Sequence, residues 1–464
     1  MEKATMEMEI NGECHYAGGE PAVVRPSQPT PRHTLYLSNL DDQRFLRFSI
    51  KYLYVFTADA AVAADALRAA LARVLVDYYP LAGRLRPSDD DDGKLVVDCN
   101  AEGALFAEAE LPDLTADEFL RGRARPHKSW RKLLYRVEAQ SFVAVPPLVV
   151  QVTRLGCGGM VLCTAINHCL CDGIGTAQFL HAWARAVRGG DDADELPPPP
   201  PFHDRRALRP RCPPRVAFTH PEYSSAVISN GNGNGNEAGP SLLAHLLGQP
   251  LCPVSLTFTA PHLLRLKHQC APSVKCTSFE ALAAHVWRAW VRALDPPASL
   301  RVKLLFSVNA RRRVKPELPR GFYGNGFVLG CAESTAAQLT ASSASAPRHG
   351  VRLVKEAKEC VDDDYVRSMV DLLEERRGAR PDLAASLVIS AWTRLGLEDL
   401  DFGGGGGPAH MGPLTSEIYC VFLPVVGDPD GVNVLVSVPQ AVADKFHHYC
   451  LGFLKDADMD AKLG

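Results

Sequence analysis

One histidine of this sequence stands where acid–base chemistry is feasible. His168 follows the apolar run Val161–Ile166, and Asp172 and Gly173 come four and five residues later. Among the 15 histidines, it is the only one with an aspartate at the fourth following position. An imidazole titrates near pH ~6.5, so at neutral pH it can accept a proton from an alcohol or an amine. Since catalytic side chains often lie where a strand ends, His168 is a candidate general base.

Other interpretations of the same stretch stay open on local sequence alone. A histidine and an aspartate four residues apart also arise by chance, and His168 could equally be a core or surface residue. An aspartate before a glycine is typical of a turn, which favours a structural role for Asp172. Cys169 and Cys171 flank the histidine and allow the hypothesis of a thiol nucleophile. Buried cysteines beside strands are usually inert, which weighs against that hypothesis.

The composition disfavours several classes of partner. The formal net charge is -3, without the basic excess that nucleic acid or an anionic membrane surface would favour. No apolar stretch approaches the ~18 residues of a membrane span, and the acidic N-terminus lacks the pattern of a secretory signal. The 14 cysteines never form a C-x-x-C pair, so no metal site is predicted. These features predict a cytosolic protein with reduced cysteines and no membrane span.

The elements that must position His168 alternate between strand and helix patterns. Helix spacing over Ala60–Asp77, Thr176–Val187 and Phe279–Leu294 alternates with apolar strand runs such as Pro147–Thr153 and Met160–Ile166. The pattern predicts an α/β protein with mixed sheets.

Two domains are expected, because a single core stops growing near ~250–300 residues. We predict an N-terminal domain over residues 1–188, a crossover over 189–245 and a C-terminal domain over 246–464. The crossover contains five prolines (Pro197–Pro201) and the polar segment Ser229–Pro240. The segments Ser334–His349 and Gly403–Gly407 are predicted to be mobile surface loops.

Several stretches, in the same order along the chain, together resemble one family, the plant BAHD acyltransferases. His168, Asp172 and Gly173 match its HxxxDG motif. Other matching stretches are TPRHTLYLSNLD (Thr30–Asp41), YYPLAGRLR (Tyr78–Arg86), CNAEGALFAEA (Cys99–Ala109), TSFEALAAHVWRA (Thr277–Ala289), SVNARRRVKPELPRGFYGN (Ser307–Asn325) and LDFGGG (Leu400–Gly405). The resemblance implies two chloramphenicol-acetyltransferase-like α/β domains with the histidine in a channel at their interface.

The resemblance also implies supporting residues. Asp172 should turn away from the channel and pair with an arginine, Arg313 in preference to Arg311. Asp401, Phe402 and Gly403 match the family's DFGWG segment, which braces the domain interface. Gly404 stands where that segment has tryptophan, so roles that depend on the indole ring are in doubt here.

Substrate-binding residues are also suggested by the resemblance. Ser390 and Trp392 match positions near the acceptor end of the channel, and Tyr36 and Asn39 are weaker candidates for the same wall. Lys303, before the arginine cluster, could contact the phosphates of CoA. No permanently bound cofactor is expected, and acyl-CoA is the co-substrate.

The resemblance favours acyl transfer, with hydroxycinnamoyl as the expected acyl group, from CoA to an alcohol. An amine acceptor is the alternative within the enzyme class, and an acidic pocket containing Asp41, Asp42 or Asp89–Asp92 would favour a polyamine. An accessory role in lipid elongation is the alternative outside that class, and a channel plugged at His168 would favour it. A monomer is expected, because the fold builds its site from one chain.

Overall fold

A computed structural model describes most of the chain. The described residues are 9–16, 18–90, 93–121, 125–139, 141–189, 199–223, 248–343, 346–415 and 419–460, with only the backbone for 453–460. The predicted polar segment Ser229–Pro240 lies outside these residues. Within the described ranges, no helix has both the length and the apolar character needed to cross a membrane.

The described residues form sixteen strands and nine α-helices. The strands are β1 His15–Tyr16, β2 Ala22–Val24, β3 Thr34–Tyr36, β4 Ser49–Phe56, β5 Arg84–Pro87, β6 Leu95–Asp98, β7 Ala104–Leu111, β8 Leu148–Leu155, β9 Met160–Asn167, β10 Leu251–Phe258, β11 Arg301–Asn309, β12 Phe327–Thr335, β13 Ser386–Ala391, β14 His410–Pro413, β15 Cys420–Val425 and β16 Asp428–Pro439. The helices are α1 Ala64–Asp77, α2 Ala116–Arg121, α3 Gly173–Arg188, α4 Ala260–Cys270, α5 Ser278–Leu294, α6 Ala336–Thr340, α7 Ala346–Glu359, α8 Asp363–Glu375 and α9 Ala443–Asp460.

Two large mixed sheets organise the described chain. The first has the order β1-β7-β8-β9-β4-β14, with β2 also paired to β7, and the second has the order β10-β16-β15-β13-β11-β12. Most neighbours are antiparallel, whereas β7 with β8, β11 with β13 and β13 with β15 are parallel. A small third sheet joins β3, β6 and β5. The prediction of an α/β protein with mixed sheets is confirmed.

The first large sheet is completed by a strand from the C-terminal half. β14 pairs antiparallel with β4, and His410 lies opposite Val55. Residues 246–464 therefore do not form a self-contained unit, because four of them extend the sheet that carries β9. The predicted domain bounds stay a prediction, and β14 shows that the C-terminal half also supplies a strand to the first large sheet.

Helices cover the sheets by burying one apolar face. On α1, Leu67, Leu71 and Leu75 are fully buried at the helical spacing of four residues. Helix α5 buries Trp287 in the apolar core beside the second large sheet. A capping box between Thr277 and Glu280 fixes the first turn of this helix. Burying a large apolar side chain stabilises a fold by roughly 1.5–3 kcal/mol, so these helices hold the sheets from one side.

Two predicted loops contain ordered structure. Ser334–His349 was expected to be a mobile loop, but α6 occupies its middle and α7 begins at Ala346. Helix α6 packs against the protein through Ala336 and Leu339, which are both buried. In the crossover, the described residues 199–223 contain short 3-10 turns at Arg205–Leu208 and Pro221–Tyr223 that pack against both domains.

Candidate active site

His168 directly follows β9. Its backbone N–H donates to the carbonyl of Phe48 (2.8 Å), and the Asn167 side chain accepts from the Cys169 N–H (3.0 Å). These bonds hold the turn against β4 and satisfy backbone groups that leave the sheet. The prediction that His168 ends a buried strand is confirmed.

The imidazole of His168 faces a large cavity between the domains. The cavity has a volume of about 1710 Å³ and is lined by residues of both halves, including Phe48, Ile174, Phe327 and Phe306. The rings of Phe48 and Phe327 lie 5.6 and 6.0 Å from the imidazole, measured between ring centroids. A site for one small molecule has roughly 300–1,000 Å³, so this cavity can hold two substrates at once.

The surroundings of His168 favour its neutral form. Burial lowers the pKa of the imidazole, while Asp172, Asn325 and Asp41 act in the opposite direction. The net shift is downward from the ordinary value of about 6.5. A neutral imidazole is the form that can accept a proton, so this shift suits a general base at neutral pH.

Asp172 has a structural role beside His168. Its oxygens accept from both terminal nitrogens of Arg311 (2.8 and 2.9 Å), from Gly175 N (2.9 Å) and from Gly326 N (3.0 Å). Although burial alone would raise it, the Arg311 guanidinium and these bonds hold the pKa of Asp172 below its usual range. Asp172 is also the N-cap of α3, so it fixes the start of that helix.

The preferred partner of Asp172 was predicted wrongly. Arg313 instead donates to the carbonyls of Lys358 (2.8 Å), in the last turn of α7, and of Val361 (2.5 Å), just after that helix. Arg311 fulfils the predicted role because its Nε also bonds Phe322 O and its Nη2 bonds Gly324 O. Sequence spacing could not separate two arginines at alternate positions of an irregular turn.

The loop of residues 322–326, called here the bridging loop, links the domains around His168. Asn325 donates through Nδ2 to the carbonyl of His168 (2.7 Å) and to Asp41 (3.1 Å). Gly175 lets α3 approach the loop, because a Cβ there would lie 1.8 Å from Tyr323 O. Neither Asn325 nor Asp41 was predicted as a site residue for His168. The only signal was their position inside the matching stretches.

Two of the four predicted acceptor-binding residues line the cavity. Trp392 stacks on Tyr52 with ring centroids 4.2 Å apart, and its Nε1 donates to Ser390 Oγ (3.1 Å). Asn39 lies elsewhere, because its amide bonds Val370 O and Glu374. Tyr36 also lies away from the cavity lining, beside Lys94. Both were assigned to the acceptor wall wrongly, since neither is among the residues that line the cavity.

Lys303 does not line the cavity and cannot contact a CoA phosphate there. Its side chain is 2% exposed, and Nζ contacts Asp382 (3.1 Å) and the carbonyl of Pro221 (2.9 Å). The position on β11 faces the crossover rather than the site. The prediction was wrong because a lysine on a strand gives no sequence signal for which face it occupies.

The glycine-rich segment after Leu400 braces the first domain by close packing. Phe402 is fully buried, with its ring against Trp183 and Phe56 (5.2 and 5.9 Å). Asp401 accepts from Gly403 N (2.7 Å), and Gly403 has a φ of +100°, which favours glycine.

Gly404 occupies the place of the family's tryptophan with its backbone against Ala60. A Cβ at Gly404 would lie 2.4 Å from the Ala60 carbonyl carbon, so no side chain fits without movement. Residues 401–407 are not among those that line the cavity.

The cysteines beside His168 are unsuited to nucleophilic chemistry. Both are buried, burial raises the pKa of Cys171 to about 12, and it raises the pKa of Cys169 still further. A thiol at such a pKa is protonated at neutral pH, and only the thiolate attacks. In the described ranges, no three His, Cys, Asp or Glu side chains come together as metal ligands.

Known proteins resemble this chain over most of its length. The sequence profile described as "Transferase family" matches residues 20–450. Omega-hydroxypalmitate O-feruloyl transferase of Arabidopsis thaliana is 36% identical over 93% of this chain and 92% of its own length. Fatty alcohol:caffeoyl-CoA acyltransferase of the same plant is 36% identical over 92% of this chain and 96% of its own length.

A solved structure agrees with these relatives in fold. The crystal structure of vinorine synthase matches with a TM-score of 0.69 and 20% identity, covering 93% of this chain and 97% of its own. At this identity the match supports the two-domain fold alone. Taken with the profile and the two relatives, it leads to one conclusion. The chain belongs to the Transferase family, that of the plant BAHD acyltransferases, which are acyl-CoA-dependent enzymes.

Proposed function

We propose that this enzyme transfers a hydroxycinnamoyl group from CoA to an alcohol, with His168 as the general base. One observation supports this most: His168 faces an interdomain cavity large enough for donor and acceptor together. Its imidazole lies between two aromatic rings rather than in an ion pair. A base that borders a two-substrate cavity is what direct acyl transfer requires.

The reaction needs no covalent enzyme intermediate, because a CoA thioester is already activated. His168 removes the proton of the acceptor hydroxyl as its oxygen attacks the thioester carbonyl. The tetrahedral oxyanion then collapses, the carbon–sulfur bond breaks, and the imidazolium returns the proton to the CoA sulfur. General-base catalysis supplies about 10²–10⁴-fold, and holding both substrates in one cavity supplies up to roughly 7–11 kcal/mol.

Ser390 is positioned to donate a hydrogen bond within the cavity. Its Oγ already accepts from Trp392 Nε1 (3.1 Å), which leaves the hydroxyl hydrogen for another acceptor. Both residues line the cavity with His168. We propose that Ser390 binds the acceptor oxygen or the developing oxyanion, and that Trp392 orients it.

The charge of the cavity supports an anionic donor and disfavours a polyamine acceptor. Its only described carboxylates are Asp172, which is paired with Arg311, and Asp430. Seven cationic side chains also line it: Lys51, Arg131, Arg136, Arg311, Arg313, Lys358 and Arg394. Two of them are paired with carboxylates, Arg311 with Asp172 and Lys358 with Glu280, which leaves five without a carboxylate of the described cavity lining. In a chain of net charge -3, such a concentration attracts the phosphates of CoA and repels a polycation.

Among the described residues, the aspartates considered from sequence form no acidic acceptor pocket, and Asp91 and Asp92 lie outside the described residues. Asp41 is fully buried, Asp42 is paired with Arg47 and Asp89 with Arg86, and none of the three lines the cavity. The alcohol acceptor is therefore preferred over an amine. The relatives named for fatty alcohol and omega-hydroxypalmitate acceptors support a long-chain alcohol.

An accessory role without catalysis has lost its main support. That role predicted a channel blocked at His168, whereas His168 borders the open interdomain cavity. The glycine in place of the family's tryptophan also gives the accessory role little support, since Gly404 lies outside the cavity lining. A cytosolic location and a monomeric state remain predictions of this proposal.

The test replaces His168 by Ala and measures CoA release from hydroxycinnamoyl-CoA with long-chain alcohols, with product mass analysis. We expect the wild type to form ester and H168A to lose about 10²–10⁴-fold in kcat. His447→Ala, a substitution on the exposed face of α9, serves as the matched control and should retain activity. An unimpaired H168A, or a wild type that forms only amide, would contradict the proposal.

The pH dependence gives a second measure of the same base. Because burial lowers the pKa of His168, kcat/KM should fall only as the pH drops through a value below about 6.5. An acid limb well above that value would assign the titration to another group.

A further inference from the structure

A second carboxylate lies behind His168, outside the HxxxDG motif. Asp41 is 0% exposed, and its oxygens accept from Ser38 N (3.0 Å), Ser38 Oγ (2.6 Å), Asn325 N (2.8 Å) and Asn325 Nδ2 (3.1 Å). No cationic side chain within the described part of the chain forms an ion pair with it. Burying a charge is costly unless it is fully hydrogen-bonded, and these four donors provide that.

Asn325 connects this carboxylate to the catalytic loop. The same Nδ2 that donates to Asp41 also donates to the backbone carbonyl of His168 (2.7 Å). The other end of the amide, Oδ1, is buried without a hydrogen bond of normal geometry, and so is Nδ1 of His168. Asn325 and Asp41 both stabilise the imidazolium, since each raises the pKa of His168 against the effect of burial.

Asp172 and Asp41 differ in the charge of the groups that donate hydrogen bonds to them. Arg311 is bound to Asp172 through two hydrogen bonds, so a cation stands directly beside that carboxylate. Asp41 has only neutral donors, and its negative charge is not cancelled locally. The remaining nearby charges are Asp42 and Arg47, which pair with each other. Both carboxylates raise the pKa of His168, Asp172 more than Asp41, and Asp41 does so without a cation bound to it.

We propose that Asp41 is a positioning residue for His168, acting through the amide of Asn325. Asp41 accepts from the backbone N–H and the side-chain Nδ2 of Asn325, which fixes the amide that holds the His168 carbonyl and leaves Oδ1 as its unbonded end. Donating a hydrogen bond to a carboxylate polarises the amide. Its Oδ1 then becomes a better hydrogen-bond acceptor for the imidazolium that forms during acyl transfer. The inference rests on His168 being the base, as proposed above.

The first experiment is Asp41→Asn in the full-length enzyme, assayed with the hydroxycinnamoyl-CoA and alcohol pair. The amide keeps the shape but removes the charge and places a donor against the donors of Asn325. Losing a residue that orients a functional histidine typically costs about 10–100-fold in activity, so we expect kcat to fall by that factor with KM little changed.

The pH profile separates an electrostatic role from a merely structural one. A negative charge near an imidazole raises its pKa, so removing Asp41 lowers the pKa of His168. The acid limb of kcat/KM should therefore move to lower pH in D41N. A substitution that only loosens the fold would reduce kcat without moving this limb.

The matched control is Asp42→Asn. Asp42 is the adjacent carboxylate, burial raises its pKa to about 6, and it contacts Arg47 and Leu95 N rather than Asn325. D42N should leave the acid limb in place. If D42N moves the limb and D41N does not, the titration belongs to Asp42 and the proposal is wrong.

Asn325→Ala provides the second variant in case D41N does not fold. It leaves Asp41 in place but breaks the connection, so kcat should fall and the acid limb should again move to lower pH. Folded variants with unchanged kcat and an unchanged limb would overturn the role of Asp41. If H168A is itself unimpaired, the general-base proposal fails instead, which keeps the two failures distinct.

Discussion

The loop after β9 and the glycine-rich segment after Leu400 both join the halves of this enzyme, but by different interactions. Around His168, the contacts are polar and specific: Asp172 with Arg311, and Asn325 with Asp41 and the His168 carbonyl. Around Gly404, the contacts are steric: Phe402 fills an apolar site and the Gly404 backbone lies against Ala60.

This difference explains why one region follows the family pattern and the other departs from it. Every buried donor and acceptor of the first region needs its partner, because an unpaired buried charge is costly. The second region needs only shape, so glycine can replace tryptophan if the backbone moves into the space. The close approach of Gly404 to Ala60 leaves no room for a side chain at this position.

The largest expected effect comes from Arg311→Met, which breaks the polar region. It leaves the buried Asp172 charge unpaired, so we expect the free energy of unfolding to fall by roughly 3–5 kcal/mol. Activity should fall with it, because α3 and the bridging loop lose their common anchor. Urea unfolding at pH 7 and the CoA-release assay measure the two effects.

Arg313→Met is the control for that substitution. Arg313 bonds two backbone carbonyls and no carboxylate, so its loss should cost only about 1–3 kcal/mol. An R313M defect larger than that of R311M would restore the arginine assignment that sequence reasoning favoured.

Gly404→Ala tests the steric region and should have a smaller effect. Its Cβ would meet the Ala60 backbone at 2.4 Å, and overpacking of this kind costs about 1–3 kcal/mol. Gly406→Ala is the matched control in the same glycine run, since its Cβ would meet only the Ala60 side chain at 3.9 Å. Equal melting temperatures for the two variants would argue against close packing as the reason for Gly404.

The smallest effect concerns the acid dependence of stability. Because the folded-state pKa of Asp172 is depressed, its contribution is complete above its unfolded pKa of about 3.9 and is lost as pH falls through the folded value. In R311M the unpaired carboxyl gains from protonation instead. The stability difference between wild type and R311M should therefore shrink on acidification, by on the order of 1 kcal/mol per pH unit. Urea titrations from pH 7 to pH 3 measure it, and a constant difference would exclude this linkage.

Much of the fold could be predicted from periodicity alone. The buried pair β8 and β9, helix α3 and helix α5 were each predicted within a few residues, since their apolar patterns are long and regular. The loop expected at Ser334–His349 was wrong, because small polar residues say little about whether a short helix such as α6 packs on a neighbour.

The sequence by itself determined which histidine could act as the base, because residue type and the end of an apolar run are local properties. It also determined the family, since the matching stretches span both halves. Only the tertiary structure decided which arginine binds Asp172, that Lys303 points away from the site, and that Asp41 lies behind His168. Those facts depend on contacts between residues 79 or more positions apart, and at such separations sequence order does not determine distance. The same holds for Gly404, because the steric requirement for glycine there comes from Ala60, a residue of the other half of the chain.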